Sequence, residues 1–190
     1  PEPEKVLKSF WLCVQQGVPY DWECRCITAK QRHRWIHTQG QAQMQGGKVV
    51  KVVGYIADIT ERKTMEEEIR NLAYFDPLTA LPNRRMLTDR LQAAIASSER
   101  SGNYGGLIYL DLDNFKPLND EHGHAAGDLL LIEVADRLHD CVREIDTVAR
   151  FGGDEFVVVL GALKTTREGS LALANNVAEK ISAVLSRPYH

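Results

Sequence analysis

The sequence has no long apolar segment. None of its uncharged apolar runs approaches the roughly 18 residues that a membrane-spanning helix needs. The first residues also lack the basic segment and short apolar run of a secretory signal. Because the chain of 190 residues begins with Pro rather than Met, we expect a piece of a longer protein. We expect that protein to act in the cytoplasm, with no membrane segment in this part of it.

Cysteine is also scarce, and the few that occur are scattered without a CxxC pair. This spacing argues against the usual zinc motifs and disulfide frameworks. A zinc site or a disulfide stays an alternative, because two of the cysteines would share one face of a strand. We interpret all of them as reduced, partly buried thiols, as is usual in the cytosol. They are Cys13, Cys24, Cys26 and Cys141.

The formal net charge of −3 hides an asymmetry along the chain. Residues 1–60 carry 8 Lys and Arg against 5 Asp and Glu, whereas residues 61–190 carry 15 against 21. The acidic second part is not suited to attract nucleic acid, so we expect no nucleic-acid partner. A phosphate-bearing ligand in that part requires metal cations between the carboxylates and the phosphates.

The first third of the chain predicts one helix followed by an antiparallel meander that buries one face. Apolar residues recur with a helical period over residues 4–16, and Gly17 fits the end of that helix. Strand-like alternation follows, and Gly46 and Gly47 provide a turn before its last stretch. The predicted strands cover residues 20–27, a segment that begins at 34–37, and residues 49–59.

A helix is predicted over residues 60–74, with Thr60 as its N-cap and Glu61 in its first turn. Its apolar residues form a narrow stripe that is typical of a two-stranded coiled coil. Two heptads do not distinguish this from a helix that lies on its own domain, and both alternatives stay open. The stripe consists of Met65, Ile69, Leu72 and Ala73.

From residue 76 onward the pattern is α/β. Asn83 is a candidate helix cap, the apolar run 106–112 indicates a buried strand, and Gly152-Gly153 indicates a hairpin. The predicted helices cover 83–101, 127–142, and a segment from Thr165 or Thr166 to about 185, and the hairpin strands cover 148–151 and 155–160.

Acidic residues stand where a ligand site is expected. Asp111 and Asp113 follow a predicted strand, at the end where open α/β sheets bind ligands. The hairpin adds Asp154 and Glu155, and an approach of Asp111 to Asp154 would create an oxygen-rich site for Mg²⁺. Two such ions stabilise the attacking and leaving oxygens of phosphoryl or nucleotidyl transfer. On spacing alone, solvated strand ends and turn residues are the commoner explanation.

The segment after Asp113 contains groups that suit a nucleotide. The loop from Asn114 through Phe115 to Lys116 offers N–H groups and an ammonium for phosphate oxygens. Asn119 and Asp128 have the donors and acceptors that a guanine edge needs, although a turn Asn and a helix-capping Asp are commoner roles. We interpret two nearby histidines, which lack a third ligand, as turn and packing residues; they are His122 and His124.

Over roughly residues 72–190 the chain resembles the GGDEF family of diguanylate cyclases, because four motifs occur in the family's order and at its spacings. They are DPLTALPNR at 76–84, DLDNFKPLND at 111–120, GHAAGD at 123–128 and RFGGDEF at 150–156. The resemblance implies an α/β (α+β) fold of the nucleotidyl-cyclase type, with a central sheet flanked by helices. It places this domain at 75–190 and implies that the family continues into a further strand and helix, so we expect a domain truncated at its C-terminus.

The resemblance implies a role for each candidate residue. Asp111, the backbone carbonyl of Leu112 and Asp154 would bind Mg²⁺ or Mn²⁺, two ions per active site. The segment Asn114, Phe115 and Lys116 would bind the β- and γ-phosphates of GTP, and Asn119 and Asp128 would recognise guanine. Asp154 and Glu155 would be the catalytic pair. Two facing domains, each holding one GTP, would form cyclic di-GMP, with Asp154 assisting deprotonation of the 3′-hydroxyl.

A further motif, REID at 143–146, resembles the family's inhibitory product site. Arg143 suits the capture of phosphate or of a guanine edge, and with Asp146 it would bind cyclic di-GMP. A surface ion pair at a helix end is the alternative.

Residues 1–59 resemble the later part of a PAS sensor domain, on ECR at 23–25, HRWI at 33–36, GYI at 54–56 and DITERK at 58–63. The early PAS strands are missing, so the PAS ligand is unknown and no haem or flavin ligand is identifiable. The helix 60–74 would link this sensor to the cyclase and pair with a second copy in a homodimer. The Arg187-Pro188-Tyr189 ending resembles proteins that continue into a phosphodiesterase (EAL) domain.

Three functions are compatible with these motifs. The first is a PAS-gated diguanylate cyclase that is subject to product inhibition, although the truncated chain itself is expected to be poorly active. The second is an inactive GGDEF domain that binds GTP or cyclic di-GMP and regulates a linked EAL domain. The third is a sensor and dimerisation fragment. The intact set of acids, Lys116 and Asn119 favours the enzyme.

Overall fold

The computed structural model describes residues 3–189 and separates the chain into two compact units, which divide after Ile69. Within residues 3–189, no helix combines the length and the apolar character needed to cross a membrane.

The first unit is the predicted helix and antiparallel meander. The strands pair in the order β1-β2-β3. The middle strand, of which the sequence indicated only the start, continues through a glutamine- and glycine-containing second part that has weak strand propensity and is held by pairing to its neighbours. The elements are α1 (Pro3–Gln16), β1 (Tyr20–Ile27), β2 (His33–Gln45) and β3 (Lys48–Asp58).

Helix α1 packs on one face of this sheet and contacts all three strands. Cys13 on the helix and Cys24 on β1 are buried. Gly17, with φ of +76°, ends the helix as predicted, and its N–H donates to the carbonyl of Cys13 at 3.1 Å. The four cysteines are free thiols in the structure, with Cys13, Cys24 and Cys141 buried and Cys26 partly buried.

Helix α2 (Thr60–Tyr74) has the predicted bounds, but Thr60 is not its N-cap. The Thr60 hydroxyl instead accepts the N–H of Trp35 on β2 at 2.9 Å, and the carboxylate of Asp58 accepts the N–H of Thr60. The prediction of an N-cap was wrong because the Thr60 hydroxyl, a typical capping group, accepts a hydrogen bond from a residue 25 positions away in the chain. The helix start is therefore joined to the sheet.

The second unit contains a three-stranded antiparallel sheet of order β4-β6-β5 with helices on both faces. Asn83 caps its first helix as predicted, since its side chain accepts the N–H groups of Arg85 and Met86. The elements are α3 (Arg84–Ser101), β4 (Gly106–Asp111), α4 (Phe115–His122), α5 (His124–Cys141), β5 (Thr147–Gly152), β6 (Glu155–Leu160) and α6 (Arg167–Leu185).

The two faces of this sheet bury different helices. Phe156, Val158 and Leu160 of β6 pack in one cluster with α5 and α6. Val157 and Val159 of the same strand point to the other face, where they pack with α3. Strand β6 is therefore buried on both faces. This burial explains why residues 156–160 are all apolar.

Three predictions for this unit need correction. The segment from Asn114 to Lys116 is not a loop, because Phe115 begins α4, and α5 starts at His124 rather than at residue 127. Strand β4 is buried on one face only: Leu107 and Tyr109 are each 51% exposed. The reason is that α3 covers β5 and β6, while β4 forms an edge of the described sheet.

Candidate functional site

Arg150 connects the hairpin turn to the segment that precedes α3. Its Nη1 donates to Oδ1 of Asp76 at 2.9 Å, and its Nη2 donates to the carbonyl of Gly153 at 2.7 Å. Its backbone N–H also donates to the carbonyl of Pro82 at 3.0 Å. One side chain thus fixes the Gly153 turn against a segment 74 residues earlier in the chain.

Asp76 is a largely buried partner in this network. Its carboxylate also accepts the N–H and the hydroxyl of Thr79 at 2.9 and 2.7 Å. Burial by itself raises the pKa of Asp76, but the hydrogen bonds from Thr79 and Arg150 outweigh it and hold the pKa below its usual value. Asp76 therefore stays ionised and paired at neutral pH.

The strand register brings the predicted acids to one end of the sheet. Asp111, the last residue of β4, pairs with Glu155, the first residue of β6. Asp154 is the residue before Glu155, and it forms the hairpin turn with Gly153, whose φ is +52°. Three acidic residues of the predicted set therefore lie at this end of the sheet.

A tyrosine that the sequence patterns did not indicate lies on the same face of the sheet as these acids. The nearby Glu155 carboxylate, followed by partial desolvation and the charge of Asp111, raises the pKa of Tyr109 to about 12. Its ring makes an edge contact with Phe151 at 6.1 Å between centroids. The sequence could have indicated Tyr109, because it lies two residues before Asp111 on a predicted strand and therefore on the same face.

The predicted phosphate segment begins at a left-handed residue. Asn114 has φ of +62° and precedes α4, which places Lys116 in the first turn of that helix, exposed. The carbonyl of Leu112 accepts the N–H of Phe115 at 3.4 Å, a long contact that leaves it able to accept a second partner. These groups directly follow Asp111.

The predicted guanine residues lie on two helices that pack together. Asn119 is on α4 and Asp128 on α5, and Gly127 packs so closely against Asn119 that a side chain at 127 would collide with its amide. The Oδ1 of Asn119 is buried and has no hydrogen-bond partner among the described residues. A buried orphan acceptor or donor is unusual and points to a missing partner such as a ligand.

The predicted inhibitory pair forms an internal contact. Asp146 has only 1% of its side chain exposed, and it accepts the guanidinium and the backbone N–H of Arg143 and the N–H of Gly161. Burial raises the pKa of Asp146, and these hydrogen bonds outweigh that effect and lower it. Arg143 remains half exposed. Asp146 thus orients Arg143, which is the member able to reach a ligand.

The oxygen groups at the sheet end suit a hard divalent cation. Two carboxylates and one main-chain carbonyl are the donor types that Mg²⁺ and Mn²⁺ bind, with substrate phosphates completing the set. Across residues 3–189 no group of three or more His, Cys, Asp or Glu side chains is assembled for a metal.

Models of two known protein families match the chain. The model of the diguanylate cyclase GGDEF domain matches residues 73–190, and that of a PAS fold matches residues 1–56.

Individual relatives agree with the family matches. The bifunctional diguanylate cyclase/cyclic di-GMP phosphodiesterase MucR of Pseudomonas aeruginosa is 47% identical over 122 residues, which are 64% of this chain and 17% of MucR. The GGDEF domain structure of TpbB, from the same species, is 40% identical with a TM-score of 0.56, covering 60% of this chain and 64% of that one.

A structure of the coiled coil and GGDEF domain of DgcB from Caulobacter crescentus, in complex with c-di-GMP, is 29% identical. Its TM-score is 0.57, and the match covers 65% of this chain and 61% of that one. This chain therefore spans a small part of MucR but most of the solved domains.

The Asp76–Arg150 pair predicts a specific loss of stability. Arg150→Ala leaves a largely buried carboxylate unpaired, and we expect the free energy of unfolding at pH 7 to fall by about 1–3 kcal/mol in urea titrations. Arg167→Ala, at the exposed first residue of α6, is the control and should change little. Equal stability of Arg150→Ala and wild type would show that the Asp76–Arg150 pair does not stabilise the fold.

The same pair predicts a dependence on pH. Because the folded protein lowers the pKa of Asp76, its contribution is complete above the unfolded value of about 4 and is lost as pH falls through the folded pKa. The difference between wild type and Arg150→Ala should therefore shrink in unfolding measurements below that pH. A difference that grows on acidification would show that another group is responsible.

Proposed function

We propose that this chain, which belongs to the GGDEF family of diguanylate cyclases, is the catalytic part of a cyclase that condenses two GTP into cyclic di-GMP and two pyrophosphates. The observation that carries the proposal is the pairing of Asp111 with Glu155, next to Asp154 in a turn fixed by Arg150. This arrangement supports a shared cation site at the end of β4. The activity of the longer protein is part of the same proposal.

Asp111, Asp154 and the Leu112 carbonyl are the proposed ligands of Mg²⁺ or Mn²⁺, two per site. Bound there, the cations supply charge stabilisation for the attacking and leaving oxygens. Asp154 accepts the proton of the 3′-hydroxyl as general base, and Glu155 is its catalytic neighbour. The hydrogen bonds of Arg150 to the Gly153 carbonyl keep the turn in place for these roles.

GTP is the proposed substrate, held at both ends. Lys116 and the N–H groups around Asn114 and Phe115 bind its β- and γ-phosphates, which agrees with the exposed first turn of α4. Asn119 and Asp128 bind the guanine edge. The buried, unpartnered Oδ1 of Asn119 supports this assignment, because the rest of the protein leaves that group without a partner.

We propose a homodimer as the active form. Joining two GTP molecules into cyclic di-GMP requires two new bonds, and each of the two facing active sites forms one of them. The apolar stripe of α2 supports a second copy as the partner: Ile69 is 67% and Leu72 is 69% exposed, and no described residue of α2 is buried. This favours the coiled coil over a helix lying on its own domain.

The PAS unit is the proposed gate of the cyclase. Glu23 on β1 binds both Arg62 and Lys63 in the first turn of α2, and the hydrogen bonds from Lys63 and then Arg62 lower the pKa of Glu23 to about 2. Trp35 and Thr60 add a main-chain bond. A change in the sheet is thereby transmitted to the helix that sets the dimer.

Product inhibition is the proposed role of Arg143, with Asp146 holding its guanidinium. We also propose a cytoplasmic location, which the four free thiols support. An EAL domain elsewhere in the protein is proposed from the similarity to MucR, whose name includes a phosphodiesterase activity.

The experiment is an assay of the full-length protein with GTP and Mg²⁺, with cyclic di-GMP and pyrophosphate quantified by chromatography. Wild type should form product, and Asp154→Ala should lower turnover by at least about 100-fold, as expected when a general base is lost. Asp136→Ala, an exposed acid on α5, is the matched control and should stay near wild type.

Two results of this assay contradict the proposal. Turnover retained in Asp154→Ala would remove Asp154 from the site. A wild type that binds GTP but forms no product would favour the inactive, regulatory GGDEF domain instead.

Gly127→Ala tests the guanine assignment. The added methyl group collides with the amide of Asn119, so we expect GTP to bind about tenfold more weakly, the factor for one lost hydrogen bond, and the preference for GTP over ATP to shrink. Calorimetry of both nucleotides measures this. Gly106→Ala, at the opposite end of β4, is the control, and unchanged GTP affinity in Gly127→Ala would contradict the assignment.

A further inference from the structure

A cavity of about 400 Å³ lies beside Arg143, where α3, the end of α5 and the start of β5 meet. Its volume is within the range of small-molecule sites, which begin at about 300 Å³. Phe75, Pro82 and Val148 provide apolar walls against which a flat base can pack, and Arg143 and Asp146 also line the cavity. The cavity therefore combines apolar surface with a guanidinium, which suits a ligand that carries both bases and phosphates.

A second guanidinium, that of Arg90 on α3, lines the same cavity. Its Nη1 donates to the hydroxyl of Thr147 at 3.4 Å, and Thr147 directly follows Asp146 and also lines the cavity. This hydrogen bond directs the Arg90 side chain towards the start of β5. The helix itself is held in place, because Leu87 and Leu91 pack in the cluster that α3 forms with β5 and β6.

The two guanidiniums differ in their partners. Asp146 accepts hydrogen bonds from Nε and Nη2 of Arg143, so the charge of Arg143 is balanced by a buried carboxylate. Within residues 3–189 Arg90 forms no ion pair, and its side-chain hydrogen bond goes to a neutral hydroxyl. Glu144 also lines the cavity, but it is exposed, where solvent and salt weaken its field. Arg90 therefore keeps N–H donors and a positive charge for an anionic ligand.

We propose that Arg90 is a second binding residue for cyclic di-GMP in this cavity and contacts a phosphate of the molecule that Arg143 also binds. The proposal rests on the role in product inhibition proposed above for Arg143. A cyclic dinucleotide carries two phosphates and two flat bases, so a pair of guanidiniums beside apolar walls matches its chemistry. Thr147 positions Arg90 in the same way as Asp146 positions Arg143.

The test measures the binding of cyclic di-GMP to the full-length protein by calorimetry, and product inhibition by the initial rate of pyrophosphate release. Arg90→Ala removes the guanidinium, Arg90→Lys keeps a charge without the planar donors, and Thr147→Val removes the hydroxyl but keeps the shape of the side chain. Arg167→Ala removes an exposed guanidinium outside the cavity and is the matched control. Thermal melting checks the folding of each variant, and a second site for cyclic di-GMP elsewhere in the protein would contribute equally to all of them.

We expect Arg90→Ala to bind cyclic di-GMP about tenfold more weakly and to need about tenfold more product for half inhibition, the factor for one lost charge-assisted hydrogen bond. Turnover without added product and the KM for GTP should stay at their wild-type values, because none of the proposed GTP ligands lines this cavity. Arg90→Lys should recover part of the affinity, and Thr147→Val should lose less affinity than Arg90→Ala.

Wild-type affinity for cyclic di-GMP in Arg90→Ala overturns the proposal. A loss in Thr147→Val as large as that in Arg90→Ala overturns it too, because Arg90 would then act only by holding Thr147.

The readouts separate this proposal from the cyclase function. A wild type that binds cyclic di-GMP but forms none from GTP contradicts the proposed function, while the affinities still decide the role of Arg90. A wild type that does not bind cyclic di-GMP overturns the roles of Arg90 and Arg143, and the assay with GTP still decides whether the protein is a cyclase.

Discussion

The contact between Asp76, Arg150 and the Gly153 carbonyl determines the geometry of the site. The conformation of a two-residue turn between antiparallel strands is held mainly by the turn's own hydrogen bonds. Gly153 makes this turn more flexible still, because glycine has few steric restrictions on its backbone. Arg150 supplies an external anchor, because its guanidinium binds the turn at one end and a largely buried carboxylate at the other. The position of Asp154 relative to Asp111 depends on that anchor.

The sheet supplies the second half of this arrangement. Strand β6 is buried on both faces, which fixes its register with β4, since a slip by one residue would turn valines out of both clusters. The register places Glu155 opposite Asp111. Two adjacent features therefore place the acidic residues at one end of the sheet. The apolar core fixes the register of β6, and Arg150 fixes the turn that precedes this strand.

Much of this was predictable from sequence, since it depends on local patterns. The Gly-Gly hairpin, the cap at Asn83, the α2 bounds and the acidic strand end all carry short-range signals. Long-range partners were not predictable in this way: Thr60 bonds to Trp35 instead of its own helix, and α4 arises in a segment where Pro117 and Asn119 weaken the helix pattern. The contacts of Tyr109 and Arg150 likewise depend on strands that meet only in the fold.

The central claim is that Asp111 and Asp154 bind one divalent cation. It is tested most directly by anomalous diffraction from crystals grown with Mn²⁺ and a non-hydrolysable GTP analogue. We expect an anomalous peak about 2.1 Å from a carboxylate oxygen of each residue, a distance usual for small octahedral cations. A peak that contacts only one of the two carboxylates, or that lies away from this end of the sheet, would contradict it.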